Sequence, residues 1–169
     1  GSARGFARRI PTSYEGIGDD CAVVPVDADT ALVVTTDMLV EDVHFVRDKI
    51  PAGDLGYKSL AVNLSDIAAM GAEPIGSFLS IGLPVSVPEV WRTSFLSGYK
   101  ELSEEFSIPL LGGDTTASDK LVIEVTAIGK VSQDRIKRRA AAQPGDLICV
   151  TGNLGDSSAG LRLLLSKLE

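Results

Sequence analysis

Between Asp54 and Gly71, apolar residues recur at helical spacing: Tyr57, Leu60, Ala61, Leu64, Ile67 and Ala68 fall on one face. They predict a helix packed on a core, with Gly71 as its stop. The other side is polar but short-chained, since Ser59, Asn63 and Asp66 make a stripe one turn apart. A solvated face would carry Lys and Glu, so this stripe reads as one held close to something, where a buried carboxylate requires a partner or a metal. Two readings of Asp66 stand at this point: a cation ligand, or a cap and partner for a neighbouring loop. A second helix is predicted from about residue 88 to 106, with Val90, Trp91, Phe95, Tyr99 and Leu102 inward and Glu89, Lys100, Glu101, Glu104 and Glu105 outward.

Shorter β-branched runs supply the strands. Residues 21–26 and 31–36, separated by the polar stretch 27–30, predict a hairpin. Its second strand is expected to end at Thr35-Thr36-Asp37, putting a carboxylate and two hydroxyls at a strand end. Residues 38–49 follow as a loop or edge strand with the sole histidine, His44. Further strands are predicted at 75–83 and 121–131, and a short buried one at 108–111 that ends in Gly112-Gly113-Asp114-Thr115-Thr116. The turn Pro144-Gly145-Asp146 precedes a strand at 147–150, and a last helix runs from about 157 to 168.

This order divides the chain into an arm over 1–15, whose Gly1-Ser2 reads as a remnant of tag removal, a main domain over 16–140, and the beginning of another domain over 141–169. At 169 residues and 44% hydrophobic content the main domain has enough apolar side chains for a core. A net charge of −7 argues against a nucleic-acid surface, with basic residues clustered only between Arg135 and Arg139. The two cysteines, Cys21 and Cys149, lie in apolar contexts with no metal-ligand spacing and fit buried thiols of a reducing cytoplasm. No stretch has the length and apolarity of a membrane span or signal peptide.

Carboxylates stand at loop or strand ends in four places: Asp19-Asp20, Asp37, Asp66 and Asp114. Brought together they raise one another's pKa and need a counter-charge, and a hard cation such as Mg²⁺ with phosphate oxygens suits an all-oxygen set. Each alone also reads as an ordinary turn residue. Thr35, Thr36, Thr115 and Thr116 add hydroxyls, with helix or turn capping as the other role of the last two. His44, between Val43 and Phe45, suits a packed residue at least as well as a ligand contact. Arg135, Lys137, Arg138 and Arg139 read either as a solvated basic turn or as a grip for a nucleotide phosphate. There is neither a P-loop nor a set of protein-kinase motifs.

The runs 16–23, 36–45, 58–72, 112–115 and 152–157, in that order, resemble the bacterial thiamine-monophosphate kinase family of the aminoimidazole-ribonucleotide synthetase-like superfamily. The resemblance implies an α/β (α+β) fold: a mixed, largely antiparallel sheet with helices on one face, two such sheets pairing into a barrel in a homodimer. It implies ATP-dependent phosphorylation of thiamine monophosphate to thiamine diphosphate with several Mg²⁺ ions. On matching positions it makes Asp20, Thr35, Thr36, Asp37, Asp66 and Asp114 metal ligands, with Asp19 adjoining them. Gly113, Asp114 and Arg139 match ATP contacts, Tyr99 lies near another, and His44 matches a substrate contact. Members are about twice this length, so the expectation is an N-terminal part, foldable but inactive alone. Another ATP-dependent enzyme of the superfamily, of selenophosphate synthetase or hydrogenase-maturation type, and a non-catalytic nucleotide-binding dimerisation module are the competing readings.

Overall fold

The computed structural model describes residues 11–166. Strands β1 (Ala22–Pro25) and β2 (Thr30–Val40) form the predicted hairpin. Asp27 makes its turn by accepting the backbone N–H groups of Asp29 and Thr30 on one carboxylate oxygen, at 2.9 and 2.7 Å. Three further strands, β3 (Glu73–Leu83), β4 (Leu110–Ala117) and β5 (Val122–Ser132), complete a five-stranded sheet in the order β1-β2-β5-β3-β4. All pairings are antiparallel except β3 with β4. That exception follows from the connection, because helix α2 (Glu89–Glu105) carries the chain from the end of β3 back to the start of β4.

Helix α1 (Ala52–Ala69) lies across β2, β5 and β3, and α2 packs on α1. The covered face of the sheet is apolar at alternate positions, with Ile123, Val125 and Ala127 of β5 and Ala31 and Val33 of β2 fully buried. These side chains belong to two clusters. One joins Leu55, Leu60, Phe95, Leu102, Ile123 and Val125; the other joins Cys21, Val23, Val33, Ile67, Met70 and Ala127. The two helices touch backbone to backbone. A Cβ added at Gly56 would lie 1.9 Å from the Phe95 carbonyl oxygen, and one at Gly98 would lie 1.9 Å from that of Gly53.

This close crossing corrects the expected orientation of α1. Ser59 and Asn63 continue the stripe of Gly56 and are buried, whereas Tyr57 and Ala68, expected on the core face, are exposed. The polar stripe is satisfied locally only in part: Ser59 Oγ donates to the Gly56 carbonyl and Asn63 Nδ2 to that of Ser59, whereas the buried Asn63 Oδ1 has no hydrogen-bond partner. Val90 is likewise exposed, in the first turn of α2.

Three strand expectations change. β2 continues to Val40, so Asp37 sits inside the strand opposite Val125 and not at its end. The strand expected to stop before Gly112 instead runs through Gly112 to Ala117, and as an edge strand all its residues are exposed. No strand forms at 147–150: Leu147 and Ile148 are 90% and 96% exposed, and among the described residues no neighbouring strand offers the backbone a partner, so Cys149, expected to be buried, is exposed. The chain divides into two compact units between Arg139 and Ala140, the second containing α3 (Asp156–Ser166). Most of the predicted arm and the end of the last helix lie outside the described residues. Among the described residues, no helix is long and apolar enough to cross a membrane.

Candidate metal and nucleotide site

The loop before β1, the middle of β2 and the end of α1 bring the first group of acidic residues together. Thr35 points to the helix-covered face, where its hydroxyl donates to Asp66 Oδ2 at 2.6 Å. Asp37, two residues further along β2, shares that face. Its carboxyl lies above the ordinary range because burial and the charge of Asp66 oppose ionisation, with His44 partly offsetting them. The thiol of Cys21, buried beneath the loop, is pushed up to about 12 by burial and then by the charges of Asp66, Asp20 and Asp19. Asp19, Asp20, Asp37, Asp66, Thr35 and His44 therefore form one neighbourhood.

Arg139 closes it from the far end of the main unit. Its guanidinium donates to both carboxylate oxygens of Asp20, and its backbone N–H donates to Asp19 Oδ2 at 3.1 Å. The pairing with Asp20 raises the arginine's own pKa. The basic run otherwise disperses. Arg138 grips Glu15 with two nitrogens, and the Lys137 backbone N–H donates to the Met70 carbonyl at 3.0 Å. Of that run, Arg139 is the residue that bonds to Asp19 and Asp20.

Thr36 and Asp114 are not part of it. Alternation along β2 turns Thr36 to the opposite face, where its hydroxyl donates to Glu124. The register places Asp114 beside Ser80 and Ser80 beside Glu124, on that same second face at the edge of the sheet. There Asp114 accepts the N–H of Thr115 at 2.8 Å. Gly113 passes so close to β3 that a Cβ would lie 1.7 Å from the Leu79 carbonyl oxygen, and its φ of 152° is one that glycine adopts freely. Tyr99 is only 2% exposed and its hydroxyl donates to Ser77 Oγ at 2.9 Å, so it is a core residue and lines no open surface.

Glu124 was not singled out in the sequence. It accepts hydrogen bonds from Thr36 and, at 2.7 Å, from Thr126. Burial pulls its carboxyl upward, but the bonds from Thr36, Thr126 and Ser80 together outweigh this and hold it below the ordinary range. An acidic residue at an alternate position of a β-branched strand was the available signal.

Among the described residues, no three His, Cys, Asp or Glu side chains converge as a ready cation cage. The donor chemistry nevertheless fits a hard cation. Every candidate ligand offers oxygen, Asp37 is held above its ordinary pKa by burial and then by the charge of Asp66, and the charge that Asp20 does receive comes from an exposed arginine.

The model of the AIR synthase related protein family, N-terminal domain, matches residues 18–131. The thiamine-monophosphate kinase of Buchnera aphidicola subsp. Schizaphis graminum is 44% identical over 160 residues, which are 95% of this chain and 49% of that protein. The thiamine-monophosphate kinase of Escherichia coli K12 is 46% identical over 91% of this chain and 46% of its own length. A solved structure of AaThiL complexed with AMPPCP and TMP matches with a TM-score of 0.82 at 38% identity, covering 89% of this chain and 48% of that one. The chain spans about half the length of the curated relatives it matches.

Proposed function

Since the chain belongs to the AIR synthase related protein family through its N-terminal domain, we propose that its protein carries out ATP-dependent phosphorylation of thiamine monophosphate to thiamine diphosphate. The observation that carries this reading is the meeting of Thr35, Asp37 and Asp66 beside the Asp19-Asp20 loop. It gains support from the likeness, over nearly the whole chain, to proteins named for that activity.

The chemistry suits such a site. The attacking group is itself a phosphate, largely deprotonated at neutral pH with a second pKa near 6, so the protein needs to position and neutralise more than to abstract a proton. Asp20, Thr35, Asp37 and Asp66, with Asp19, would hold Mg²⁺, which when bound supplies the positive charge that phosphoryl transfer requires. Arg139, exposed and fork-shaped, exchanges Asp20 for a nucleotide phosphate. His44, on the loop after β2, faces the thiamine compound.

Thr36, Gly113 and Asp114 are assigned to the same chemistry from a second copy of the chain. The uncovered face that carries Thr36 and Asp114 is half-apolar, with Leu32, Val34, Met38, Phe78 and Ile128 among its residues, and suits pairing of two sheets. Residues 16–140 then serve as nucleotide-binding, metal-binding and dimerisation domain. The free thiols Cys21 and Cys149 are in keeping with a cytoplasmic setting.

The test is a half-swap. The chain replaces the equivalent half of the Escherichia coli relative, thiamine diphosphate formation is followed with ATP and Mg²⁺, and AMPPCP binding to the chain alone is measured by calorimetry. Turnover by the chimera and Mg²⁺-dependent binding by the chain are expected. An inactive but folded chimera, with no nucleotide binding by the chain, overturns the reading.

A further inference from the structure

We infer that Arg139 is a built-in counter-ion for Asp20 that competes with a divalent cation for that carboxylate, so that the cation frees the guanidinium and a phosphate that takes the guanidinium frees the carboxylate. Both oxygens of Asp20 accept from the Arg139 guanidinium, and Asp19 Oδ2 accepts from its backbone N–H at 3.1 Å. An ionised carboxylate has about four lone-pair sites, so the contest is one of charge more than of space: a guanidinium held against Asp20 repels a dication brought to the same oxygens. The inference deepens the cation and nucleotide roles proposed above and rests on them.

The backbone holds the competitor in place. The Lys137 N–H donates to the Met70 carbonyl at 3.0 Å, just past the end of the helix that carries Asp66. Arg138 grips Glu15, whose own backbone exchanges hydrogen bonds of 3.0 and 2.8 Å with Val23 of β1. Glu15 and Asp20 bracket the loop before β1, so two consecutive arginines hold its two ends. With both its neighbours fastened, Arg139 gives up Asp20 by rotation of its side chain alone, and that side chain is 66% exposed against 21% for Asp20. The released guanidinium stays beside the acidic group. An exposed pair of this kind favours its closed over its open form by at most about fivefold, and a cation that binds only the open form has its affinity lowered by about two- to sixfold. The coupling is reciprocal, because a ligand that draws Arg139 away raises the affinity for the cation by the same factor.

The test titrates the chain with Mg²⁺ alone and follows the backbone amides of Asp20, Asp37 and Asp66 by NMR. Arg139→Met is expected to bind Mg²⁺ about two- to sixfold more tightly than the unaltered chain. Arg138→Met removes the same charge from the neighbouring position and is expected to change the affinity by less than about twofold. An equal gain in the two variants assigns the effect to net charge and overturns the proposal, as does an unchanged or weaker affinity in Arg139→Met. In the unaltered chain, saturating Mg²⁺ is expected to move the Arg139 Nε resonance and to speed exchange of its proton with water. A resonance that stays put while the Asp20 amide shifts overturns the proposal without any variant having to fold. Failure of the wider reading looks different. With Mg²⁺ present, AMPPCP is expected to bind Arg139→Met more weakly; equal AMPPCP affinity beside a gain for Mg²⁺ leaves the competition standing and removes Arg139 from the nucleotide site. No Mg²⁺-dependent shift at any of the three amides overturns the cation reading and the competition with it.

Discussion

Thr35 on β2 and Asp66 on α1, 31 residues apart, are joined by a 2.6 Å hydrogen bond from hydroxyl to carboxylate. The bond ties the last turn of the helix to the middle of a strand and aims two oxygen-bearing side chains at one point. It also leaves Asp66 Oδ1 and the lone pairs of Thr35 unspoken for by each other. Of the two early readings of Asp66, the structural partner is thus observed through Oδ2, while the cation contact stays the proposal, with Oδ1 to make it.

Asp66→Asn separates these roles. Its amide oxygen can still accept from Thr35, so the loss of stability in urea denaturation is expected to stay within about 1 kcal/mol. Mg²⁺-dependent AMPPCP binding, measured by calorimetry, is expected to weaken by about tenfold or more. Unchanged affinity in a folded variant removes Asp66 from the ligand set, and a variant that fails to fold makes its role structural.

Tyr99→Phe decides between a nucleotide contact and the core. The buried hydroxyl donates to Ser77, and its pKa is raised chiefly by burial. Removal of that one bond is expected to cost about 1 kcal/mol of stability and to leave nucleotide affinity unchanged. A drop in affinity without a drop in stability would restore Tyr99 to the site.

The sequence displayed the hairpin because Asp27 to Thr30 interrupts two β-branched runs, and α1 because its apolar spacing ends at Gly71. Alternation along β2 also held the news that Thr35 and Thr36 face opposite ways, which grouping them by residue type overlooked. The position of Asp114 was beyond reach: it depends on β4 pairing parallel at the far edge, a matter of topology and not of local pattern. Tyr99 shows a related limit. Helical spacing put it on the apolar side of α2, as observed, whereas the looser family correspondence drew it toward ATP. The burial of Ser59 and Asn63 required knowing that a second helix covers α1.

That covering is testable at Gly98. Any side chain there meets the Gly53 backbone, with carbonyl oxygen 1.9 Å and carbon 2.6 Å from a modest Cβ. Neither atom belongs to a flexible side chain, so the helices themselves must part. Gly98→Ala is expected to destabilise by about 1–3 kcal/mol or more, read as a lowered urea midpoint. A neutral result would mean that α1 and α2 are not in backbone contact.

The Glu15–Arg138 pair predicts a pH dependence. The hydrogen bond from Arg138 is the largest influence on Glu15 and lowers its pKa from 4.5 despite an opposing contribution from burial. A depressed carboxyl stabilises the fold above its unfolded pKa, and that contribution fades as pH falls through the lower folded value. Both side chains are more than a third exposed, so solvent screening keeps the gain below about 1 kcal/mol. Thermal melts of Arg138→Met should lie below those of the unaltered chain at pH values above 4.5 and converge with them in more acid solution. A constant gap down to full protonation of Glu15 would assign the effect to packing of the arginine stem.

Cys21 is 3% exposed with a pKa near 12, whereas Cys149 is exposed. At about pH 8 the Cys21 thiolate is only on the order of 10⁻⁴ of the population, and a thiol reagent must also open the core to reach it. One thiol per chain is therefore expected to react quickly with a disulfide reagent in the native protein, and the second only as fast as the fold opens in urea. Burial is the leading cause of the shift, so Asp66→Asn should leave the slow thiol slow. Two equally fast thiols in the native protein would place Cys21 outside the cluster of Val23, Ile67 and Met70. The Asp19-Asp20 loop that precedes it would then have no anchor beside Asp66, and the acidic group would lose the packing that assembles it.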